Sequence, residues 1–130
     1  MNEFVGIYTK EERDRQIRRE FSKLYALYRD DDNPANEQVK RLSNEAAFMR
    51  VMLLELREII TRDGMIESYQ NGANQHGLKK SSAVEVYDKM ISQYMRVFAQ
   101  INKLLPEPVE NDQEVNELLA FIAGGNRQTA

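Results

Sequence analysis

The fold of this chain is decided by two segments, VKRLSNEAAFMRVMLLELREII at residues 39–60 and VEVYDKMISQYMRVFAQINKLL at residues 84–105. In both segments apolar residues recur at steps of three and four, which is the heptad spacing of paired helices. The first series is Val39, Leu42, Ala46, Met49, Leu53, Leu56 and Ile60, and the second is Val84, Tyr87, Ile91, Tyr94, Phe98, Ile101 and Leu105. This pattern predicts an all-α fold centred on a long antiparallel hairpin of two helices.

Capping residues indicate where the first two helices begin and end. Thr9 and Glu12 form a capping box ahead of a first helix that we expect over about residues 10–29. The second helix is expected to begin near Pro34 or Asn36, with Asn33 as its cap, and to continue to about Arg62, before a stop at Gly64.

A third helix and a short fourth helix are predicted in the same way. A capping box of Ser82 and Glu85 begins the third helix, which is expected to end at Leu105 because a proline follows. Asn111 and Glu114 cap a final short helix. The apolar face of this final helix consists of Val115, Leu118, Leu119 and Ile122.

The segment that joins the two heptad series is polar and rich in glycine. It reads YQNGANQHGLKKS at residues 69–81, and its Asn71-Gly72 pair is a tight-turn signal because both residues tolerate a positive φ. We interpret it as a loop held by its own amide side chains, with room for a short two-stranded ribbon.

Length and composition favour a single soluble domain. The chain has 130 residues and no cysteine, and no apolar run approaches the ~18 residues of a membrane span. We therefore expect a cytoplasmic protein with no membrane partner and no disulfide. The predicted divisions are an N-terminal basic helix over residues 1–32, a central helical hairpin over residues 33–106 and an acidic C-terminal segment over residues 107–130.

Charge is distributed unevenly along the chain, whose net charge is −3. Residues 1–29 carry seven Lys or Arg against five Asp or Glu, whereas residues 106–130 carry one Arg against five acids. Basic residues on one side of the first helix could contact phosphates, or they could form an ordinary solvated helix face. The candidate DNA contacts are Arg15, Arg18, Arg19 and Lys23, with Lys79 and Lys80 secondary.

No pattern of catalytic residues is present in the sequence. The one histidine, His76, has no neighbouring ligand or nucleophile at a suitable spacing. Carboxylates are expected on helix surfaces in solvated pairs such as Glu58 with Arg62. We predict a protein that is not an enzyme and that needs neither a metal nor another cofactor.

The third helix carries a second apolar row, Ala83, Met90, Val97 and Leu104, beside its heptad series. Two surfaces could cover that row, namely the first helix of the same chain or another subunit. The second reading predicts a homo-oligomer. Its interface residues would be Met52, Leu54, Met90, Val97 and Leu104.

Residues 40–106 resemble the small terminase subunit of tailed phages, in the P27-like group. The resemblance is carried by EAAFMRV at residues 45–51, YQNG at residues 69–72, Asn74-Gln75, Gly77, KKSS at residues 79–82, and Leu104-Leu105-Pro106. It also includes Val86-Tyr87, Met90-Ile91 and Tyr94.

The resemblance implies a ring-forming protein of the host cytoplasm that binds double-stranded viral DNA. It also implies a partner, the terminase large subunit, which carries ATPase and nuclease activities. The short amphipathic final helix could dock that partner, or it could pack on its own or a neighbouring subunit. Three aspartates follow Arg29 where a helix-turn-helix would need a tight turn, so phosphate contacts are favoured over base reading. The alternative function is a helical oligomeric adaptor without DNA affinity.

Overall fold

The computed structural model describes residues 6–70, 72 and 75–106. The elements are α1 (Lys10–Tyr28), α2 (Asn36–Asp63), β1 (Ile66–Gln70), β2 (His76–Lys80) and α3 (Ser82–Leu104). The described part of the chain is therefore mostly helical, as the heptad spacing predicts, with one small sheet. The proposed docking residues Val115, Leu118, Leu119 and Ile122 lie outside the described residues.

The two heptad series form the inward faces of α2 and α3. Every residue of both series is buried or half-buried, and Val39, Leu53, Tyr94 and Ile101 are completely buried. The side-chain amide of Asn33, just before α2, donates to the carbonyl of Leu104 at 3.0 Å. The start of α2 therefore lies beside the end of α3.

Helix α1 packs along α2 and completes the core. Leu24 and Tyr28 are its buried residues, and the Tyr28 ring lies 6.4 Å from the Phe98 ring of α3. The predicted capping box is confirmed, because the Glu12 amide donates to the Thr9 hydroxyl and the Thr9 amide donates to the Glu12 carboxylate.

The caps of α2 and α3 differ from the sequence prediction. Ala35 occupies the N-cap of α2, while the Asn33 side-chain oxygen accepts from the Ala35 amide at 3.0 Å. Asn33 therefore shapes the preceding turn instead of capping the helix. Ser81, not Ser82, caps α3, and its hydroxyl accepts from the Val84 amide at 3.2 Å. Gly64 ends α2 at a φ of 90°, as predicted.

The connection between α2 and α3 is an antiparallel two-stranded ribbon. Ile66 pairs with Lys80 at one end and Gln70 pairs with His76 at the other. The ribbon thus begins three residues before the predicted loop, and Gly72 at its turn adopts a φ of 80°. Large apolar side chains on and beside it remain exposed, namely Met65, Ile66, Tyr69 and Leu78.

Candidate nucleic-acid interface

Four basic residues of α1, hereafter the basic face, lie exposed at helical spacing: Arg15, Arg18, Arg19 and Lys23. Residues three and four apart on a helix are surface neighbours, so these four form one continuous patch. The patch extends over roughly 12 Å along the helix axis, at about 1.5 Å per residue. It is therefore long enough to follow part of a phosphate backbone.

Three acids near the basic face have partners of their own, although Glu12 and Asp14 also interact electrostatically with Arg15 and Arg18. The Glu12 carboxylate accepts from the Thr9 amide, which lowers the pKa of Glu12. Asp14 accepts from Lys10 at 2.9 Å, and this hydrogen bond lowers the pKa of Asp14. Glu20 is the one acid between residues 15 and 29, and it faces Arg50 of α2 at 3.2 Å.

Three of the four side chains in the basic face have no ion pair with any residue that the structure describes. Among the described residues, Arg15, Arg18 and Arg19 have no carboxylate in contact. An exposed guanidinium presents several N–H donors at once and suits a phosphate geometrically. The basic face is thus chemically available to a polyanion.

The secondary candidates on the ribbon are already paired. Lys79 lies 3.5 Å from the Glu67 carboxylate across the strands, and Lys80 lies 3.2 Å from Asp88 of α3. Both lysines remain about half exposed, so a phosphate could compete for them. Phosphate binding by these lysines is less favourable than binding by the arginines of α1, because the phosphate must displace an existing carboxylate partner.

Helix α1 is held on α2 by a buried acid, Glu55, that is not among the residues predicted from the sequence. The Glu55 carboxylate accepts from Arg13 Nε at 2.7 Å and Arg13 Nη2 at 2.9 Å. It also accepts from the backbone amides of Ile7 at 2.6 Å and Tyr8 at 3.0 Å. The Glu55 side chain thus holds both α1 and the backbone just before it against α2. These contacts set the orientation of α1 and therefore of its basic face.

Electrostatics favour the ionised form of Glu55. Burial acts to raise the pKa of its carboxyl, but the Arg13 guanidinium and the two amides outweigh burial, so the pKa is lowered. Glu58, one turn later, accepts a hydrogen bond from the Tyr8 hydroxyl, which raises the pKa of Tyr8 to about 12. Arg62 pairs with Asp63 at 2.7 Å, so the predicted Glu58–Arg62 pair is wrong.

A second polar contact lies deeper, between α1 and α2. Glu20 and Arg50 are each only 18% exposed, and Tyr94 of α3 is completely buried next to them. Burial raises the pKa of Tyr94 to about 12, although the neighbouring Arg50 opposes that effect. The contact pairs the Glu20 carboxylate with Arg50, and Glu20 also lines the surface cavity that contains Arg15 and Arg19.

The predicted interface residues lie in different environments. Val97 is only 9% exposed and belongs to the core of the single chain, whereas Met90 and Leu104 are half-buried beside that core. Met52 and Leu54 are also half-buried. Leu54 lines a surface cavity of about 200 Å³ together with Arg15 and Arg19. A subunit that covered Leu54 would therefore also cover part of the basic face.

His76 is exposed near the end of the ribbon, opposite Gln70. Within residues 6–70, 72 and 75–106, no three His, Asp or Glu residues are grouped as a metal site would require. In the same part of the chain, none of the helices combines the length and apolarity of a membrane span.

Comparison with protein-family models, curated proteins and solved structures found no match.

A buried acid at position 55 could have been suspected from the sequence. Glu55 interrupts the run Val51-Met52-Leu53-Leu54, where the helix is apolar on several sides. A charged residue is seldom buried unless it is paired, so such an interruption indicates a partner from another element. The sequence carried no sign that the partner would be Arg13.

Proposed function

We propose that this chain is a DNA-binding assembly protein of the small terminase subunit type. In that role it binds viral genomic DNA and regulates a large ATPase and nuclease subunit during genome packaging. The observation that carries DNA binding is the exposed basic face, in which the arginines lack carboxylate partners among the described residues. The resemblance of residues 40–106 is the reason for placing that binding in packaging.

Assembly makes the basic face effective. Duplex DNA carries one negative charge per ~1.7 Å of axis, and four cations on one helix release too few counterions for tight binding. Copies of the face in a closed oligomer would act together, because each contact raises the effective concentration of the next. The proposed homo-oligomer, through Met90, is therefore part of the DNA-binding mechanism.

Salt dependence of DNA binding tests this proposal. The assembled protein should shift a duplex at low salt, and the slope of log K against log salt should be steep. Replacing Arg15 and Arg19 by Ala should reduce that slope by about 2 for each copy that contacts DNA. Lys79→Ala with Lys80→Ala is the matched control, since it removes the same charge from paired residues, and it should have the smaller effect.

Three outcomes of this experiment separate the possibilities. A loss confined to the Arg15 and Arg19 variant supports contact through α1. Equal losses in both double variants would indicate general attraction instead of a defined face. No shift of any duplex by the wild-type protein at low salt would contradict the DNA-binding function.

The second candidate is the helical oligomeric adaptor without DNA affinity. One observation favours it: Met65, Ile66 and Leu78 are 62–74% exposed on and beside the ribbon. Ile66 and Leu78 lie on the same face of the ribbon, because Leu78 pairs with Ser68, two residues after Ile66. Exposed apolar patches are typical of protein interaction sites. The adaptor function predicts that Leu78→Ser weakens binding of a protein partner, whereas the Arg15 and Arg19 variant leaves that binding unchanged.

A further inference from the structure

An apolar groove lies between the first turns of α2 and the last turns of α3. Its volume is about 440 Å³, and it is lined by Gln38, Arg41, Leu42, Gln100, Lys103 and Leu104. Leu42 and Leu104 are half-buried against the core, and the methylenes of the longer side chains extend the apolar lining. This groove is separate from the basic face and is not used by the proposed function.

The groove has features that select a particular occupant. Its lining includes two cations, Arg41 and Lys103, and no carboxylate. Phe48 lies seven residues after Arg41, on nearly the same side of α2, and is 43% exposed. The surface is therefore suited to an apolar helix that carries acidic residues along its edges.

Residues 111–123 of this chain, NDQEVNELLAFIA, have that composition. Their apolar residues Val115, Leu118, Leu119 and Ile122 recur at helical spacing. Residues 107–123 contain five acids, Glu107, Glu110, Asp112, Glu114 and Glu117, and no basic residue. The 13 residues would form a helix of roughly 20 Å, which needs a packing partner because isolated helices of this length are marginal in water.

Connectivity brings this segment to the groove. The described chain ends at Pro106, two residues after Leu104, which itself lines the groove. Residues 107–110 can span at most about 14 Å, at up to ~3.6 Å per residue. A tether this short gives the segment an effective concentration in the millimolar range at its own groove.

We propose that residues 111–123 dock as a helix into the groove between α2 and α3 of their own chain. Docking covers Leu42 and Leu104 with the apolar face of the segment and places its acids near Arg41 and Lys103. The acidic segment is then held at the α2–α3 groove instead of on the basic face of α1. This inference goes beyond the proposed function and does not depend on DNA binding.

Disulfide trapping tests the docking directly, because the chain contains no cysteine of its own. Gln100→Cys with Leu118→Cys places one thiol at the groove and one in the segment. Ser22→Cys with Leu118→Cys is the matched control, since Ser22 is exposed on α1 among the basic residues. Both full-length proteins are oxidised mildly and then analysed on denaturing, non-reducing gels and by mass spectrometry.

Docking predicts an intrachain disulfide in the groove pair that forms about tenfold faster than in the control, because the docked helix holds the thiol at position 118 beside position 100, which raises their effective concentration. Equal rates in the two pairs, or faster reaction of the Ser22 pair, would overturn the proposal. A disulfide between two chains would also overturn it and would assign the groove to a neighbouring copy.

A second set of variants tests whether the disulfide depends on the apolar face of the segment or forms by random collision of the two thiols. In the Gln100→Cys, Leu118→Cys protein, Val115→Asp with Ile122→Asp should reduce disulfide formation to the control rate. Gln113→Asp, which lies off the apolar face, should leave the rate within about twofold of its original value. A groove disulfide that forms equally well after the two apolar residues are replaced would overturn docking through that face.

Discussion

Glu55 accepts four hydrogen bonds at a position where its side chain is only 6% exposed. Glu55→Ala would leave the Arg13 guanidinium without its carboxylate and two backbone amides without an acceptor. Removing one partner of such a pair is costly, so we expect the free energy of unfolding to fall by about 2–4 kcal/mol. Urea denaturation followed by circular dichroism measures the change.

Glu58→Ala is the control for this prediction, because Glu58 is exposed and accepts a single hydrogen bond from Tyr8. We expect that variant to lose less than about 1 kcal/mol. If both variants lose the same free energy of unfolding, the buried hydrogen bonds of Glu55 contribute no more to stability than the exposed one of Glu58.

The lowered pKa of Glu55 also predicts how stability depends on pH. A carboxyl whose pKa is lower in the folded state stabilises the fold above its unfolded pKa, about 4.3, and this contribution is lost as the pH falls through the folded value. The wild-type protein should therefore lose stability on acidification below about pH 4.5 more steeply than Glu55→Gln. Stability curves of the two proteins that run parallel from pH 6 to pH 3 would contradict this assignment.

At the scale of single elements, the ribbon depends on a close approach between Tyr69 and Gly77. These residues are paired across the strands, and a Cβ added at Gly77 would lie 2.7 Å from the Tyr69 ring. Gly77→Ala must therefore displace the ring, which is 43% exposed and free to move outward. We expect faster hydrogen exchange of the ribbon amides, with unchanged helical circular dichroism.

Leu78→Ala provides the comparison for Gly77→Ala, since Leu78 is 74% exposed and its truncation removes little packing. That variant should retain the wild-type exchange rates within about a factor of two. If Gly77→Ala exchanges no faster than Leu78→Ala, the contact between Tyr69 and Gly77 contributes nothing to ribbon stability.

The helices were more predictable than the elements that join them. Heptad spacing identified the inward faces of α2 and α3 because burial of an apolar stripe dominates helix packing. The helix starts were harder to predict, since Asn33, Ser81 and Ser82 are all good caps and tertiary contacts decide among them. Asn33 is used to bind the Leu104 carbonyl, a contact 71 residues away that no local pattern encodes.

The residues of the basic face could be predicted from the sequence, but the partners of the nearby acids could not. Helical spacing brought Arg15, Arg18, Arg19 and Lys23 to one face. Whether nearby acids would neutralise them depended on Glu20, whose side chain could have pointed either way from its sequence position. The ion pair of Glu20 with Arg50 is a tertiary contact, and it gives this carboxylate a partner outside the basic face.

At the scale of the whole molecule, different tasks fall on different surfaces. The basic face lies on α1, the exposed apolar side chains lie on and beside the ribbon, and the apolar groove lies between the start of α2 and the end of α3. Leu54 is the exception, because it shares a cavity with Arg15 and Arg19. An assembly that leaves the basic face open must therefore use contacts other than Leu54, and Met90 on α3 is the first candidate.

Met90→Glu tests the proposed assembly. Met90 is half-buried in the single chain, so a neighbouring subunit could bury the remainder of its side chain. A charge placed in an apolar contact costs several kcal/mol, about enough to lower association by a factor of a hundred or more at each interface. We expect a smaller species by sedimentation, with wild-type helical content, and weaker DNA binding because fewer basic faces act together.

Met95→Glu is the control on the same helix, since Met95 is 50% exposed. Its sedimentation should match the wild type. If Met90→Glu sediments and binds DNA like the wild type, Met90 lies outside the interface; a wild-type protein that is monomeric at micromolar concentration would refute the assembly itself.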